Sequence, residues 1–339
     1  MKSIGILGAG SWACALANLL VQNKHNVTMW EIDEKRAKQL DSTRKLEFLP
    51  EIQLQRNIEI TSNLEKVLCR KDIVLIAIPS HFVRSTFESI QKIKPSNLEK
   101  IIFVSAVKGI EVSSLKRISE IISEIIPEIS NNICALSGPS FAVEVANKIP
   151  TAIVAAGKNA EITKIVQKTF STEYCRIYTN TDIIGVELGG ALKNIFAIAC
   201  GISDGIGCGD NTKAAIVTRG LRELVKLGIK MGGELQTFYG LSGLGDLMLT
   251  CFSKHSRNRL LGEKVGLGIL PDDAIKEISM VAEGYLTTKS AYNLINQYRI
   301  DSPVINETYL VLYKRKSVNE AINNLMLREL KSESYGLKF

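Results

Sequence analysis

The sequence predicts an α/β chain: an N-terminal doubly wound, mostly parallel sheet, then an all-helical C-terminal domain. Three observations carry this. Up to about residue 180, short apolar runs alternate with helical patterns, the order that builds a parallel sheet with helices on both faces. From residue 181 strand-like alternation stops and long helical periodicities take over. The first apolar run, moreover, ends in a small-residue turn, Gly8-Ala-Gly10-Ser-Trp-Ala13, that runs straight into a helix-favouring stretch. The expected domains are residues 1–180 and 181–339, and a length of 339 residues also suggests two.

The turn comes first. Gly8, Gly10 and Ala13 follow the G-x-G-x-x-G/A order of a dinucleotide-binding βαβ unit. The first glycine permits a tight turn, the second lets the backbone approach a pyrophosphate, and the small third residue lets helix and strand pack closely. N–H groups and the positive dipole end at the helix start then face the phosphates. A glycine-containing hairpin is the plainer alternative, but a strand before and a helix after favour a Rossmann-type unit. The second apolar run, 27–30, ends in Glu31 and Asp33.

Further strands are expected at 58–60, 73–77, 101–104, 133–136, 152–155 and 176–178, with an amphipathic helix within 115–126. Three strand ends carry polar or glycine residues: Ile78-Pro79-Ser80, Ser105 to Gly109, and Ser137 to Ser140. In an open α/β sheet they would converge on the crevice at its carboxyl edge. Helices are expected at about 182–206, 211–231, 257–267, 271–278, 285–297 and 304–314, and the polar residues 331–339 should be loosely ordered.

Composition narrows the partners. Hydrophobic content of 45% and charged content of 23% are ordinary for a globular protein. The net charge of +7 is scattered along the chain, which fits an anionic small molecule or simply a solvated surface. No basic block argues for nucleic acid. Seven isolated cysteines without a C-x-x-C read as reduced thiols, with no metal site expected. The N-terminus superficially resembles a secretory signal, but Gly5, Gly8 and Gly10 interrupt it and cleavage would remove the first strand. No uncharged apolar run reaches the roughly 18 residues of a membrane span, so a cytoplasmic protein is expected.

Three constellations could carry chemistry. Lys193 and Asn194 are the only polar residues between Gly190 and Gly201. A helical lysine usually snorkels to solvent, but these neighbours are small and apolar on every face. A buried lysine either pairs or shifts its pKa downward, and the downward shift is how lysines become acid–base groups. Asp246 follows the Gly243-Leu-Gly245 turn, either as a helix cap or as a carboxylate that orients the lysine; spacing leaves both open. Ser256-Arg257-Asn258-Arg259 begins a helix, either as a phosphate site or as a solvated basic turn.

In this order the motifs resemble the bacterial type of NAD(P)-dependent glycerol-3-phosphate dehydrogenase. The resemblance runs from Gly5 to about Tyr313. It takes in Gly8-Ala-Gly-Ser-Trp12, Val107-Lys-Gly-Ile-Glu111, Gly138-Pro-Ser-Phe-Ala142, Leu192-Lys-Asn194, Gly209-Asp-Asn-Thr-Lys-Ala214, Gly243-Leu-Gly-Asp246, Ser256-Arg-Asn258 and Val281-Ala-Glu-Gly284. It implies reversible hydride transfer between NAD(P)H and dihydroxyacetone phosphate, giving sn-glycerol 3-phosphate for phospholipid synthesis. Lys193 resembles the family's proton acceptor, with Asn194, Asp246 and Thr250 as polar neighbours and Lys108 between cofactor and substrate. Gly138, Ser140, Ser256, Arg257 and Asn258 match substrate-holding positions, Arg257 also reaching the cofactor. Ser11, Trp12, Ala142, Val281 and Glu283 match cofactor contacts. A homodimer is expected on the same ground.

Two departures stand out. Ala13 replaces the usual third glycine. Many relatives end the second strand in Arg or His, suited to a 2′-phosphate, whereas Glu31 and Asp33 stand here. A carboxylate there accepts from a free ribose hydroxyl and repels a phosphate, so a preference for NAD(H) over NADP(H) is expected. The rival enzyme is a β-hydroxyacid or 6-phosphogluconate-type dehydrogenase, which shares the two-domain fold and the catalytic lysine. A non-catalytic dinucleotide sensor is the rival from another class. His25, His81 and His255 read as structural or solvated.

Overall fold

The computed structural model of the chain describes residues 1–46, 49–278 and 281–333. Its N-terminal half forms an eight-stranded sheet. The chain opens with β1 (Ser3–Leu7), α1 (Ser11–Gln22), β2 (Asn26–Trp30) and α2 (Glu34–Thr43). A small hairpin, β3 (Lys45–Leu46) and β4 (Leu49–Gln53), precedes the edge strand β5 (Glu59–Thr61). Then α3 (Leu64–Leu68) leads to β6 (Ile73–Ile76), α4 (Val83–Ile93) to β7 (Ile102–Ser105), and α5 (Ile118–Ile125) to β8 (Ile133–Ser137). The half ends with α6 (Ala142–Ala146), β9 (Thr151–Ala156), α7 (Ala160–Phe170) and β10 (Cys175–Asn180).

Spatial order is β10-β9-β8-β7-β6-β1-β2-β5, parallel throughout except where β8 meets β9. The central strands are continuous apolar runs because both faces are covered. Ile73 and Leu75 of β6 join the core under one helical layer, while Val74 and Ile76 join the core under the other. Strand order reverses between β1 and β6, and a crevice opens at the carboxyl ends on either side of such a point. The expected strands are all present with boundaries shifted by a residue or two. The β3–β4 hairpin was not anticipated, since a two-residue strand and Pro50 leave no alternation to read.

The second half is helical. It comprises α8 (Ile183–Gly205), α9 (Asp210–Lys230), α10 (Leu235–Phe238), α11 (Asp246–Phe252), α12 (Arg257–Gly266), α13 (Pro271–Lys276), α14 (Glu283–Gln297), α15 (Pro303–Lys314) and α16 (Val318–Met326). Helix α8 is the axle on which the others pack. Asp182 starts it, its side chain accepting from the Gly185 N–H at 2.8 Å. At Gly201 a Cβ would lie 1.9 Å from the Arg259 carbonyl oxygen, so α8 and α12 touch backbone to backbone. Among the described residues only α8 is long and apolar enough to cross a membrane, and 89% of that apolar window is buried inside the protein.

The six expected helices are present, while α10, α11 and α16 are additions, short segments whose periodicity is too brief to read alone. Of the expected loose terminus, residues 334–339 lie outside the described residues. All seven cysteines are free thiols, and burial pushes those of Cys14 and Cys134 up to about 12.

Candidate active site

The crevice begins at the β1–α1 turn. Gly8 holds φ +108°, a region costly for a side chain, and a Cβ there would lie 2.7 Å from the Ala77 carbonyl oxygen. Gly10 is the N-cap of α1 and offers no capping side chain. A Cβ on Gly10 would meet nothing within 4 Å, so open space lies over the helix start. At the second residue of the helix, the Trp12 indole N–H is buried and finds no hydrogen-bond partner among the described residues. Bare backbone, a helix N-terminus and an unpaired donor fit a dinucleotide pyrophosphate. Ser11 opens α1, and Ala142 opens α6 and packs on the same apolar core as Trp12.

At the end of β2, Glu31 is 8% exposed. Its Oε1 accepts from the Asp33 N–H at 3.1 Å, and Oε2 lies 3.8 Å from Arg36 Nη2. The exposed Asp33 carboxylate instead caps α2, accepting from the Arg36 N–H at 2.9 Å. Of the two acids expected at a ribose, Glu31 ends the strand and Asp33 starts the helix.

Across the crevice, α8 and α11 bring Lys193, Asp246 and Thr250 together, all at least 95% buried. Lys193 Nζ donates to Asp246 Oδ1 and, at 2.7 Å, to Thr250 Oγ1. The Thr250 hydroxyl in turn donates to the Asp246 carbonyl at 2.6 Å. Asp246 Oδ2 accepts from Lys108 Nζ at 2.7 Å, so one carboxylate bridges two lysines, and that ammonium also donates to the Gly138 carbonyl at 2.9 Å. Burial brings the Lys193 ammonium down to about 7; Asp246 opposes the change and Lys108 adds to it. Asp246 does not cap its helix, since Gly245 holds that position. The carboxylate orients the lysines.

Asn194 is held from both sides. Its Nδ2 reaches the Lys108 carbonyl at 3.3 Å, and its Oδ1 accepts from Asn258 Nδ2 at 2.9 Å. Ser140 Oγ donates to the Gly138 carbonyl at 2.9 Å. Buried Ser256 caps α12, accepting from the Arg259 N–H at 3.2 Å. Arg257 is exposed and donates from Nη1 to the Val281 carbonyl at 2.9 Å. Glu283 opens α14, and its carboxylate accepts from both the N–H and the hydroxyl of Ser80.

Two groups escape sequence reading. Ser80 sits in a turn visible at the end of a strand, but its partner lies 203 residues away. Buried Glu187, near the start of α8, pairs with Arg117 Nη1 and accepts from the Ser119 N–H at 2.8 Å, anchoring α8 to the sheet half. A lone acid in an apolar helix was its only signal.

Known proteins match this architecture over nearly its full length. The family described as NAD-dependent glycerol-3-phosphate dehydrogenase matches in two parts, its N-terminus over residues 3–163 and its C-terminus over residues 182–323. A relative from Fusobacterium nucleatum named glycerol-3-phosphate dehydrogenase (NAD(P)+) is 45% identical over 334 residues, 98% of this chain and 99% of its own. A relative of the same name from Staphylococcus haemolyticus is 44% identical over 335 residues, 98% of this chain and 100% of its own. The crystal structure of glycerol-3-phosphate dehydrogenase from Coxiella burnetii superposes with a TM-score of 0.91 at 32% identity, covering 96% of this chain and 99% of that one.

Proposed function

From a chain that belongs to the NAD-dependent glycerol-3-phosphate dehydrogenase family, and is thus an NAD(P)-dependent oxidoreductase, we infer the following division of labour. The reaction interconverts dihydroxyacetone phosphate and sn-glycerol 3-phosphate. Residues 1–180 hold the dinucleotide and residues 181–339 supply the acid–base machinery. The nicotinamide, when bound, supplies or takes up the hydride, which leaves the protein a proton to move and an anion to hold.

Lys193 moves the proton. In reduction its ammonium delivers one to the oxygen at C2, and in oxidation its neutral amine takes the hydroxyl proton. An amine that titrates at about 7 serves both directions near neutrality. Asp246 and Thr250 fix its Nζ, and Lys108, bridged by Asp246, adds positive charge where the C2 oxygen becomes anionic. Asn194 completes the polar set. Gly138, Ser140, Ser256, Arg257 and Asn258 are assigned to the substrate, its phosphate facing Arg257 and the α12 start. Gly8, Gly10, Ser11, Trp12, Lys108, Ala142, Val281, Glu283 and Arg257 are assigned to the dinucleotide. Glu31 at the end of β2 underlies a preference for NAD(H), and Asp33 contributes there only through the start of α2.

A carboxylate bridging two lysines beneath the crevice is the observation that carries this reading. The supply of glycerol 3-phosphate for phospholipids, a homodimer and a cytoplasmic site of action are proposed from family resemblance alone.

The test follows nicotinamide absorbance as the purified protein meets dihydroxyacetone phosphate, once with NADH and once with NADPH. Oxidation that disappears in Lys193→Ala, with cofactor binding retained, is the expected result. Wild-type protein that binds the cofactor but oxidises neither would overturn it.

A further inference from the structure

Resting on that reading, the proton is handled on α8 and the substrate anion at the start of α12, so the two helices have to stay in register. Their contact is glycine on backbone from both sides. A Cβ on Gly201 of α8 would lie 1.9 Å from the Arg259 carbonyl oxygen, and one on Gly205 would lie 2.3 Å from that of Glu263. In return, a Cβ on Gly262 of α12 would lie 2.0 Å from the Ile198 carbonyl oxygen, and one on Gly266 would lie 2.4 Å from that of Ile202. Such faces bring the two axes close. They carry no side-chain ridges to interdigitate and stop one helix from sliding or turning on the other, so polar contacts are left to set the register.

One such contact lies at the crevice, where Asn258 donates to Asn194 Oδ1 at 2.9 Å. A second lies ten residues further along α8, about 15 Å, at Asp204. A carboxylate in the last turn of a helix opposes the macrodipole and calls for cations; Asp204 has two. Its Oδ2 lies 2.6 Å from Arg259 Nε, an ion pair rather than an aligned hydrogen bond, and its Oδ1 lies 2.6 Å from Lys213 Nζ. The three side chains are only 10–13% exposed, away from the solvent that makes surface pairs weak. Lys213 belongs to the Gly209-Asp-Asn-Thr-Lys-Ala214 motif, to which the proton and anion chemistry gives no role. Its ammonium also sits 5.7 Å from the centroid of the Phe252 ring, at the end of the helix that carries Asp246 and Thr250. Arg259 follows Arg257 and Asn258, and its N–H donates to the cap Ser256. Lys213 and Asp204 thus reach both sides of the short connection, 253–256, between α11 and α12.

We propose that Asp204, braced by Lys213, pins α12 on α8 through Arg259 and thereby positions Arg257 and Asn258, the anion-holding start of α12, relative to Lys193. Asp204, Lys213 and Arg259 are positioning residues: they act through the helix start and not on the substrate. With the pin released, α12 can shift on its glycine face, and misplacement of about 1 Å costs on the order of a hundredfold in the function of the displaced groups.

The test uses the full chain with Asp204→Asn, which keeps the shape and removes the charge, and with Lys213→Met, which leaves the Asp204–Arg259 pair in place should the first variant fail to fold. Arg259→Ala, Arg259→Lys, Arg257→Ala and the Asp204→Asn/Arg257→Ala double variant complete the set. Two readouts are taken: kcat and KM for dihydroxyacetone phosphate at saturating NADH, and amide exchange at residues 257–266 in cofactor-free protein. Asp204→Asn, Lys213→Met and Arg259→Ala are expected to raise KM about tenfold to a hundredfold and to exchange faster at the α12 start. Arg259→Lys keeps a charge facing Asp204 and should hold KM within about threefold of the wild type. Added to Arg257→Ala, Asp204→Asn should raise KM no more than about twofold further, because the contact it positions is already gone. A loss of kcat at unchanged KM, as from less folded enzyme, overturns the proposal, and so does a full effect of Asp204→Asn on top of Arg257→Ala. Wild-type exchange at the α12 start in Asp204→Asn and Lys213→Met also overturns it. That arm is read whether or not the wild type reduces dihydroxyacetone phosphate, so the failure of the pin and the failure of the parent reading are told apart.

Discussion

Replacing Asp246 by Asn removes a buried charge without changing shape, and its effect should depend on the direction of catalysis. Asp246 is 1% exposed and accepts from both lysines, so its loss leaves Lys193 beside Lys108 with no counter-ion. Opposite charges about 3 Å apart attract by about 5 kcal/mol at an effective dielectric of about 20. Allowing half to relaxation and water, about 2.5 kcal/mol remains, enough to lower the Lys193 pKa by about two pH units. Starting from about 7, the ammonium fraction at pH 7 falls from about one half to about one in a hundred. Reduction uses the ammonium, so its kcat at pH 7 should drop about fiftyfold and recover as the pH is lowered. Oxidation uses the neutral amine, which predominates at high pH in either form, and should change only a few-fold there. The assay is nicotinamide absorbance in both directions across pH. An Asp246→Asn enzyme that keeps the wild-type pH profile, or that loses both directions equally at every pH, refutes the proton-shuttle reasoning.

Other perturbations test separate parts of the chain. Glu31→Ser removes the ion-pair partner of Arg36 at the end of β2 and should raise the NADPH/NADH ratio of kcat/KM at least about tenfold; an unchanged ratio would show that Glu31 does not select the cofactor. Buried Glu223 accepts from the Val304 and Ile305 N–H groups, and burial raises its carboxyl from 4.5 to about 7. The folded state then binds the extra proton between those values, so this group lowers stability as pH rises through that window, by about 3 kcal/mol in all. Glu223→Gln should flatten the dependence of Tm on pH between about 4.5 and 7, and a wild-type slope would contradict the assignment. Gly201→Ala drives a Cβ to 1.9 Å from the Arg259 carbonyl and should destabilise the protein by about 3 kcal/mol in urea unfolding, whereas an unmoved midpoint would mean that α8 and α12 sit further apart.

Much of the fold was legible locally. Strands such as 73–76 show as apolar runs and helices such as 183–205 as long, uniformly apolar stretches, because backbone periodicity is imposed within a few residues. The glycine turn between β1 and α1 was legible for the same reason, since Gly8 and Gly10 act on their own backbone. Segments of four to nine residues, such as α10 and α16, were not, because so short a window holds too few periods and depends on tertiary packing.

The site divides along the same line. Sequence alone marked Lys193 as an unusual lysine, since no small, apolar helix tolerates one without a partner, and it marked Glu31 as the acid at the end of a strand. It left open whether Asp246 was a cap or an orienting carboxylate. That was decided only when folding brought Asp246 against Lys193, 53 residues away, and against Lys108, 138 residues away. It placed Asp33 beside Glu31 at the ribose and gave no sign that an oxygen of the same carboxylate caps α2. It also gave no sign of the Ser80–Glu283 contact across 203 residues. Hydrophobic periodicity is a property of neighbours along the chain. The pairing of buried charges is a property of neighbours in space, and only the packed core determines which distant groups share one low-dielectric pocket.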